Sequence, residues 1–246
     1  MKGGAPLDLV VERVQTIQSI FYRTAEFLKN LPLRRRGPAT KPIQDLCRPW
    51  LFQSVPGSYQ FTVAIQGPAQ GDMFVEGEPE PRLVASTFMA ILEGAANEPE
   101  ANLPKIVPDP DYRATFLKLA RNLAPTGRSF SHLEIRSSSA RAPVVLTQES
   151  RKSMTTAIRG ASSEPAQAAQ ASEVALKGIL RAVHLEKDWI EVFVDDTLVR
   201  VSGVGETVDD VIGPMVNHQV VVHVTRNSKG DYGFRDIEVE EGASEA

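Results

Sequence analysis

The chain has one cysteine, Cys47, in 246 residues. A lone thiol closes no intrachain disulfide and builds no thiolate cage for zinc, so a disulfide scaffold and a zinc ribbon are both excluded. In its setting, Ile43-Gln44-Asp45-Leu46-Cys47, it has no cysteine-enzyme signature and reads as a small core hydrophobe. Histidines are scarce too: His132, His184, His218 and His223. Only His218 and His223 are close in sequence, and on a strand that spacing turns them to opposite faces, so a paired metal site is not expected. No apolar run approaches the roughly 20 residues that cross a bilayer, and the N-terminus lacks the basic, apolar, small-residue order of a secretion signal. A soluble cytoplasmic protein is the expectation.

Catalytic signatures are missing as well. There is no GxSxG elbow. Gly203-Val204-Gly205 is followed by neither a further glycine nor the GK[ST] of a phosphate-cradling loop, and reads as a strand-to-helix turn. The acidic pairs Asp195-Asp196 and Asp209-Asp210 fit a turn and a helix start, where carboxylates accept from free backbone N–H groups. No catalytic residue, cofactor or metal is therefore assigned, and a non-enzymatic protein is expected.

What the sequence does contain is concentrated in residues 173–241, where valine-rich alternating runs follow one another. A long first run, residues 174–185, carries Gly178 where a strongly bent strand needs a residue without Cβ. Lys187-Asp188 turns into residues 189–194, with Ile190, Val192 and Val194 on one face and Trp189, Glu191 and Phe193 on the other. Asp195-Asp196 turns into a third run, residues 197–201. Thr207 with Asp210 predicts a short capped helix that Gly213-Pro214 stops. Two further runs, residues 219–225 and 232–239, form a hairpin. Three strands, a short helix and two strands predict a small barrel, whose closure removes the open edges such valine-rich strands would otherwise expose.

Residues 1–159 predict an α+β domain, with helices on a small, mainly antiparallel sheet. An amphipathic helix from Pro6 has Leu7, Val10, Val14, Ile17, Phe21 and Leu28 on one stripe, widened by Ile20 and Phe27; it docks on its own core or on another subunit. An apolar segment, residues 43–52, precedes a strand at residues 58–66, a loop with a minor strand at 73–75, and a helix at 83–96. Residues 97–110 read as a proline-rich connection. Asp109-Pro110-Asp111 starts the next helix, capped by Asp109, with Tyr112, Phe116, Leu119, Ala120 and Leu123 inward. Strands at 130–136 and 143–147 and a helix at 149–159 complete the unit. Residues 160–172 lack large apolar side chains and predict a flexible linker; 242–246 form a tail.

Charge is uneven. Of 27 basic and 31 acidic residues, residues 172–246 hold seven and fifteen, a balance of −8 that leaves +4 for residues 1–171. The sharpest basic feature is Arg34-Arg35-Arg36, which offers planar forks to phosphate, to a partner's carboxylates or to the acidic part of the same chain.

The C-terminal order of elements resembles the OB-fold class. Gly178-Ile179-Leu180-Arg181-Ala182 and Asp236-Ile237-Glu238-Val239-Glu240-Glu241, with Pro56-Gly57-Ser58-Tyr59 and Val107-Pro108-Asp109-Pro110 further forward, resemble uncharacterised bacterial two-part proteins ending in an OB-like barrel. The resemblance implies a fold and no catalytic residue. The expected function is a non-catalytic interaction or regulatory protein whose acidic barrel docks a protein partner. Candidate contact residues are Arg34, Arg35, Arg36, Trp189 and Phe193. The alternative is nucleic-acid binding through the arginine loop or the barrel aromatics, disfavoured at the barrel because phosphate affinity comes from basic side chains releasing counterions.

Overall fold

The computed structural model describes residues 7–52, 60, 62–65, 79–127, 130–138, 142–161, 172–205, 207–227 and 230–240. The elements run α1 (Leu7–Leu28), α2 (Lys41–Cys47), β1 (Pro49–Phe52), β2 (Thr62–Ile65), α3 (Pro81–Ala96), α4 (Pro99–Ile106), α5 (Pro110–Leu123), β3 (His132–Ile135), β4 (Val144–Thr147) and α6 (Gln148–Ala161). There follow β5 (Ser172–His184), β6 (Trp189–Val194), β7 (Thr197–Ser202), α7 (Asp209–Ile212), a 3-10 turn (Gly213–Met215), β8 (Gln219–Arg226) and β9 (Tyr232–Val239). An α+β body thus precedes a β unit. The expected linker loses its ends to regular structure, since α6 continues to Ala161 and β5 begins at Ser172; residues 162–171, like the expected strand at 73–75, lie outside the described residues.

The body is organised around α1. Its apolar stripe is buried in the second half, at Ile17, Ile20 and Phe21, and Phe21 stacks on Phe88 of α3 with ring centroids 4.1 Å apart. The first turn is not covered: Leu7 is 76% exposed. Asp109 caps α5 as its sequence predicts, accepting from the Tyr112 N–H at 2.9 Å. Cys47 is fully buried, and burial pushes its thiol to about 12, so it packs as a core group and is not poised as a nucleophile.

The connection expected at residues 97–110 needs correction. Residues 97–110 include a helix, α4, because Pro99 sits at its first position, where a missing N–H costs nothing, and the fully buried Leu103 draws it onto the core. α4 packs close to α3 at Gly94, where a Cβ would meet the tip of the Ile106 side chain at 2.8 Å. The apolar segment 43–52 divides into α2 and β1. The sheet of the body is two separate antiparallel pairs, β1 with β2 and β3 with β4.

In the β unit the pairings run round a ring, β5-β6-β7-β9-β8 and back to β5. The ring is thinnest between β7 and β9, a parallel contact in which only Val201↔Tyr232 and Ser202↔Gly233 pair. β5 serves two neighbours in turn, β8 through its first half and β6 from Ile179 onward. Gly178 stands at that switch: a Cβ there would lie 2.2 Å from the Phe193 carbonyl oxygen, so only glycine lets the strand cross. Leu180, Ile190, Val192, Val201, Val220 and Val222 fill the interior.

Candidate functional site

Two regions hold the chemistry: the junction of body and barrel, and the barrel's outer face on β5, β6 and β7.

The junction is made by α7. Val208, just before α7, and Val211 within it belong to the helical core, whereas Ile212 of α7 and Met215 of the following 3-10 turn belong to the barrel core, so this short segment is packed into both. Its capping differs from the sequence expectation. The residue before the helix is Val208, no side chain caps it, and the carboxylates of Asp209 and Asp210 point instead at body arginines. Arg23 of α1, wholly buried, donates through Nε to Asp210 at 2.8 Å and also meets Glu26 at 3.4 Å. Arg34 donates to Glu26 at 2.8 Å and to Asp210 at 3.2 Å, and the Gly37 N–H donates to Asp209 at 2.5 Å. Burial pushes the Asp209 carboxyl up, reinforced by the adjacent Asp210 charge and opposed by the Gly37 hydrogen bond and the two arginines.

A second cluster joins α5 and α6 to β9. Arg121, also wholly buried, forms a forked pair with Asp236, one arm at 3.2 Å, and donates to the Ile237 carbonyl at 2.6 Å. Arg151 donates to the Arg121 carbonyl at 2.6 Å and to Glu238 at 3.3 Å. The His223 Nε2 lies 2.8 Å from Arg159 and 3.4 Å from the same Glu238. The His223 hydrogen bond, helped by Arg121 and Arg151, holds the Glu238 carboxyl at about 2 despite its burial. Asp209, Asp210, Asp236 and Glu238 are thus bound to the basic body.

These contacts locate the arginine loop. Arg34 is committed to Glu26 and Asp210, Arg35 faces Asp111 at 3.6 Å, and Arg36 donates to the Leu185 carbonyl at 2.7 Å. Of the readings open to these arginines, pairing within the chain is the one the geometry displays. The two buried arginines that matter most, Arg23 and Arg121, were not singled out by the sequence. A signal existed for Arg23, which follows Ile20 by three residues and so falls on the apolar stripe of α1.

Trp189 and Phe193 lie elsewhere, on the outer face of β6, and are not brought together with the arginine loop. Arg200 of β7 covers Trp189, its guanidinium 4.5 Å from the ring centroid, and His184 of β5 flanks that ring at 5.4 Å. Arg181 lies 6.0 Å from the centre of Phe193. A register shift between Leu180 and Ala182 leaves Arg181 as the extra residue of a bulge, which aims it outward. Arg200 also donates twice to Glu191, at 3.2 and 2.7 Å, across the strand pair. The face is therefore two arginine-covered rings around an internally neutralised carboxylate, with polar atoms at its surface and apolar area beneath.

Among the described residues there is no group of three or more His, Cys, Asp or Glu side chains disposed to hold a metal. A cavity of 30 Å³ at the junction touches Asn122, Asp210 and Met215 and has room for water. A broader groove of 580 Å³ runs between α6 and β8–β9, past Lys152, Thr155, Thr156 and Val221. No helix among the described residues is long and apolar enough to cross a membrane.

No family model matches the chain. No curated protein matches it either. Among solved structures, a match is found to apo-CusF residues 6-88 from Escherichia coli, at 14% identity over 32% of this chain and 100% of that one, with a TM-score of 0.23, a likeness too slight to carry an argument.

Proposed function

We propose that the protein is a non-catalytic interaction or regulatory protein of bacterial type, working in the cytoplasm, with an OB-type barrel that docks a protein partner. The observation that carries this reading is the outer face of β5–β7. Trp189 and Phe193 are half-buried on a strand whose other face fills the barrel core, and Arg200 and Arg181 lie against them. Tryptophan and arginine are the residue types that dominate binding energy at protein interfaces, where a ring supplies area and a guanidinium supplies directed donors. The OB assignment is supported by the order of pairings, β5-β6-β7-β9-β8, with α7 between the third and fourth strands. The acidic charge of the barrel enters this reading differently from the sequence expectation: Asp209, Asp210, Asp236 and Glu238 face the body, and the rings of the docking face lie under arginines.

The experiment is capture of partners by the full chain and by Trp189→Ala/Phe193→Ala, with circular dichroism confirming that the variant is folded. Loss of a specific polypeptide from the variant's capture supports the reading. Unchanged capture by the folded variant overturns it.

Nucleic-acid binding is retained as a second reading for this face alone, because arginine-covered rings also stack on bases. A salt series on a single-stranded oligonucleotide separates the two: phosphate-driven binding weakens steeply with ionic strength. Absence of binding at low salt removes it.

A further inference from the structure

We propose that the free edge of β7 pairs antiparallel with the same edge of a second copy of this chain, with Leu198 opposite Leu198. β7 pairs with β6 along its whole length, from Thr197↔Val194 to Ser202↔Trp189, but reaches β9 only at Val201 and Ser202. Over Thr197–Val199 the edge turned away from β6 therefore has no backbone partner among the described residues. An unpaired row of N–H and C=O groups is a template for another strand, and proteins usually blunt such edges with proline, charged side chains or a bulge. Between Asp195 and Ser202 there is no proline and no bulge, and the charged residue within the strand, Arg200, is turned to Glu191. The edge also exposes an apolar side chain, Leu198, at 57%.

Charge identifies the occupant. The edge begins with Asp195-Asp196 and ends with Arg200, so it is complementary to itself when run antiparallel. Residues directly opposite in an antiparallel pair share a face, which admits only registers that keep the outward set together. A two-fold axis through Leu198 satisfies this. It places the two leucines in contact and brings Arg200 of each copy toward the acidic Asp195-Asp196 turn that opens β7 in the other. Arg200 donates to Glu191 through Nε and Nη2, so Nη1 remains to face the incoming carboxylate. The contact is isologous and closes at two copies, and it carries the sheet β5–β6–β7 across the axis into the same strands of the second copy. The aromatic face of each barrel stays open.

The direct test is a crosslink in the full chain. Antiparallel partners have Cα atoms about 4.5–5.5 Å apart, inside the roughly 4.4–6.8 Å that a disulfide spans. The native thiol, Cys47, is fully buried and does not compete. Leu198→Cys in a glutathione redox buffer is expected to form a disulfide-linked dimer about tenfold faster than Lys187→Cys, whose thiol stands on the exposed β5–β6 turn. In sedimentation equilibrium the unmodified chain shows a monomer–dimer equilibrium. Leu198→Lys weakens it by about tenfold or more. Asp196→Asn, which tolerates the left-handed φ of 61° at that position, weakens it less. A chain that is monomeric at every concentration overturns the proposal. So does a Leu198→Cys crosslink no faster than the control, or a dimer indifferent to Leu198→Lys.

Discussion

The arginines of the junction and those of the outer barrel face use one side chain in two ways. Arg23 and Arg121 are wholly buried, and their forks close on carboxylates of the other unit. Arg181 and Arg200 are exposed and lie over rings. A buried guanidinium that loses its carboxylate leaves an uncompensated charge, whereas an exposed one is rehydrated at little cost. The junction is therefore structural, and the outer face is where substitution is tolerated by the fold.

Substitution is most damaging at Arg121. Arg121→Ala strands Asp236, 4% exposed at its side chain, and is expected to cost about 3–5 kcal/mol in urea unfolding. Replacing both partners, as in Arg121→Met/Asp236→Leu, is expected to recover much of that loss, since an apolar pair of similar volume leaves no orphan charge. Gly178→Ala comes next, because the new methyl meets the backbone oxygen of Phe193 and not a movable side-chain tip; about 1–3 kcal/mol is expected, with a lower thermal midpoint as the readout.

Acid sharpens the contrast. Glu238 titrates at about 2 in the folded chain against an ordinary 4.5. A depressed carboxylate contributes stability that is complete above its unfolded value and is lost as pH falls through the folded one, so the contribution of Glu238 disappears between about pH 4.5 and 2. Asp209, pushed upward, works in the opposite sense, and its contribution falls as pH rises through its own window. Urea midpoints at pH 5, 3.5 and 2.5 are expected to drop more for the native chain than for Glu238→Gln. The smallest effect on stability is at the outer face. Arg200→Ala removes one ring contact and one exposed ion pair, about 0.5–1 kcal/mol by thermal unfolding, while partner capture weakens.

How far the sequence shows this arrangement depends on whether the cause is local. Alternation in β6, with Ile190 and Val192 inside and Trp189 and Phe193 outside, is local, and so is the cap at Asp109. Gly178 betrays the bend of β5 because no other residue fits there. α4 escapes a local reading because Pro99 and Pro104 resemble loop punctuation, although one occupies a permitted helical position and the buried Leu103 offsets the other. The junction is hardest to see: Arg23 and Asp210 are 187 residues apart and Arg121 and Asp236 are 115 apart, and nothing in local spacing links them. The acidic excess of the C-terminal part was legible, but its use was not. Without the partner arginines in view, Asp209 and Asp210 read as helix-start residues.

Buried arginine–carboxylate pairs are expected to make body and barrel one cooperative unit. That cooperativity is tested most directly by urea unfolding of Trp50→Phe, which leaves Trp189 in the barrel as the single tryptophan, followed at once by its fluorescence and by helical circular dichroism. Coincident transitions are predicted, separating when Arg121→Ala is added. A barrel that unfolds apart from the helices while Arg121 is intact contradicts the account.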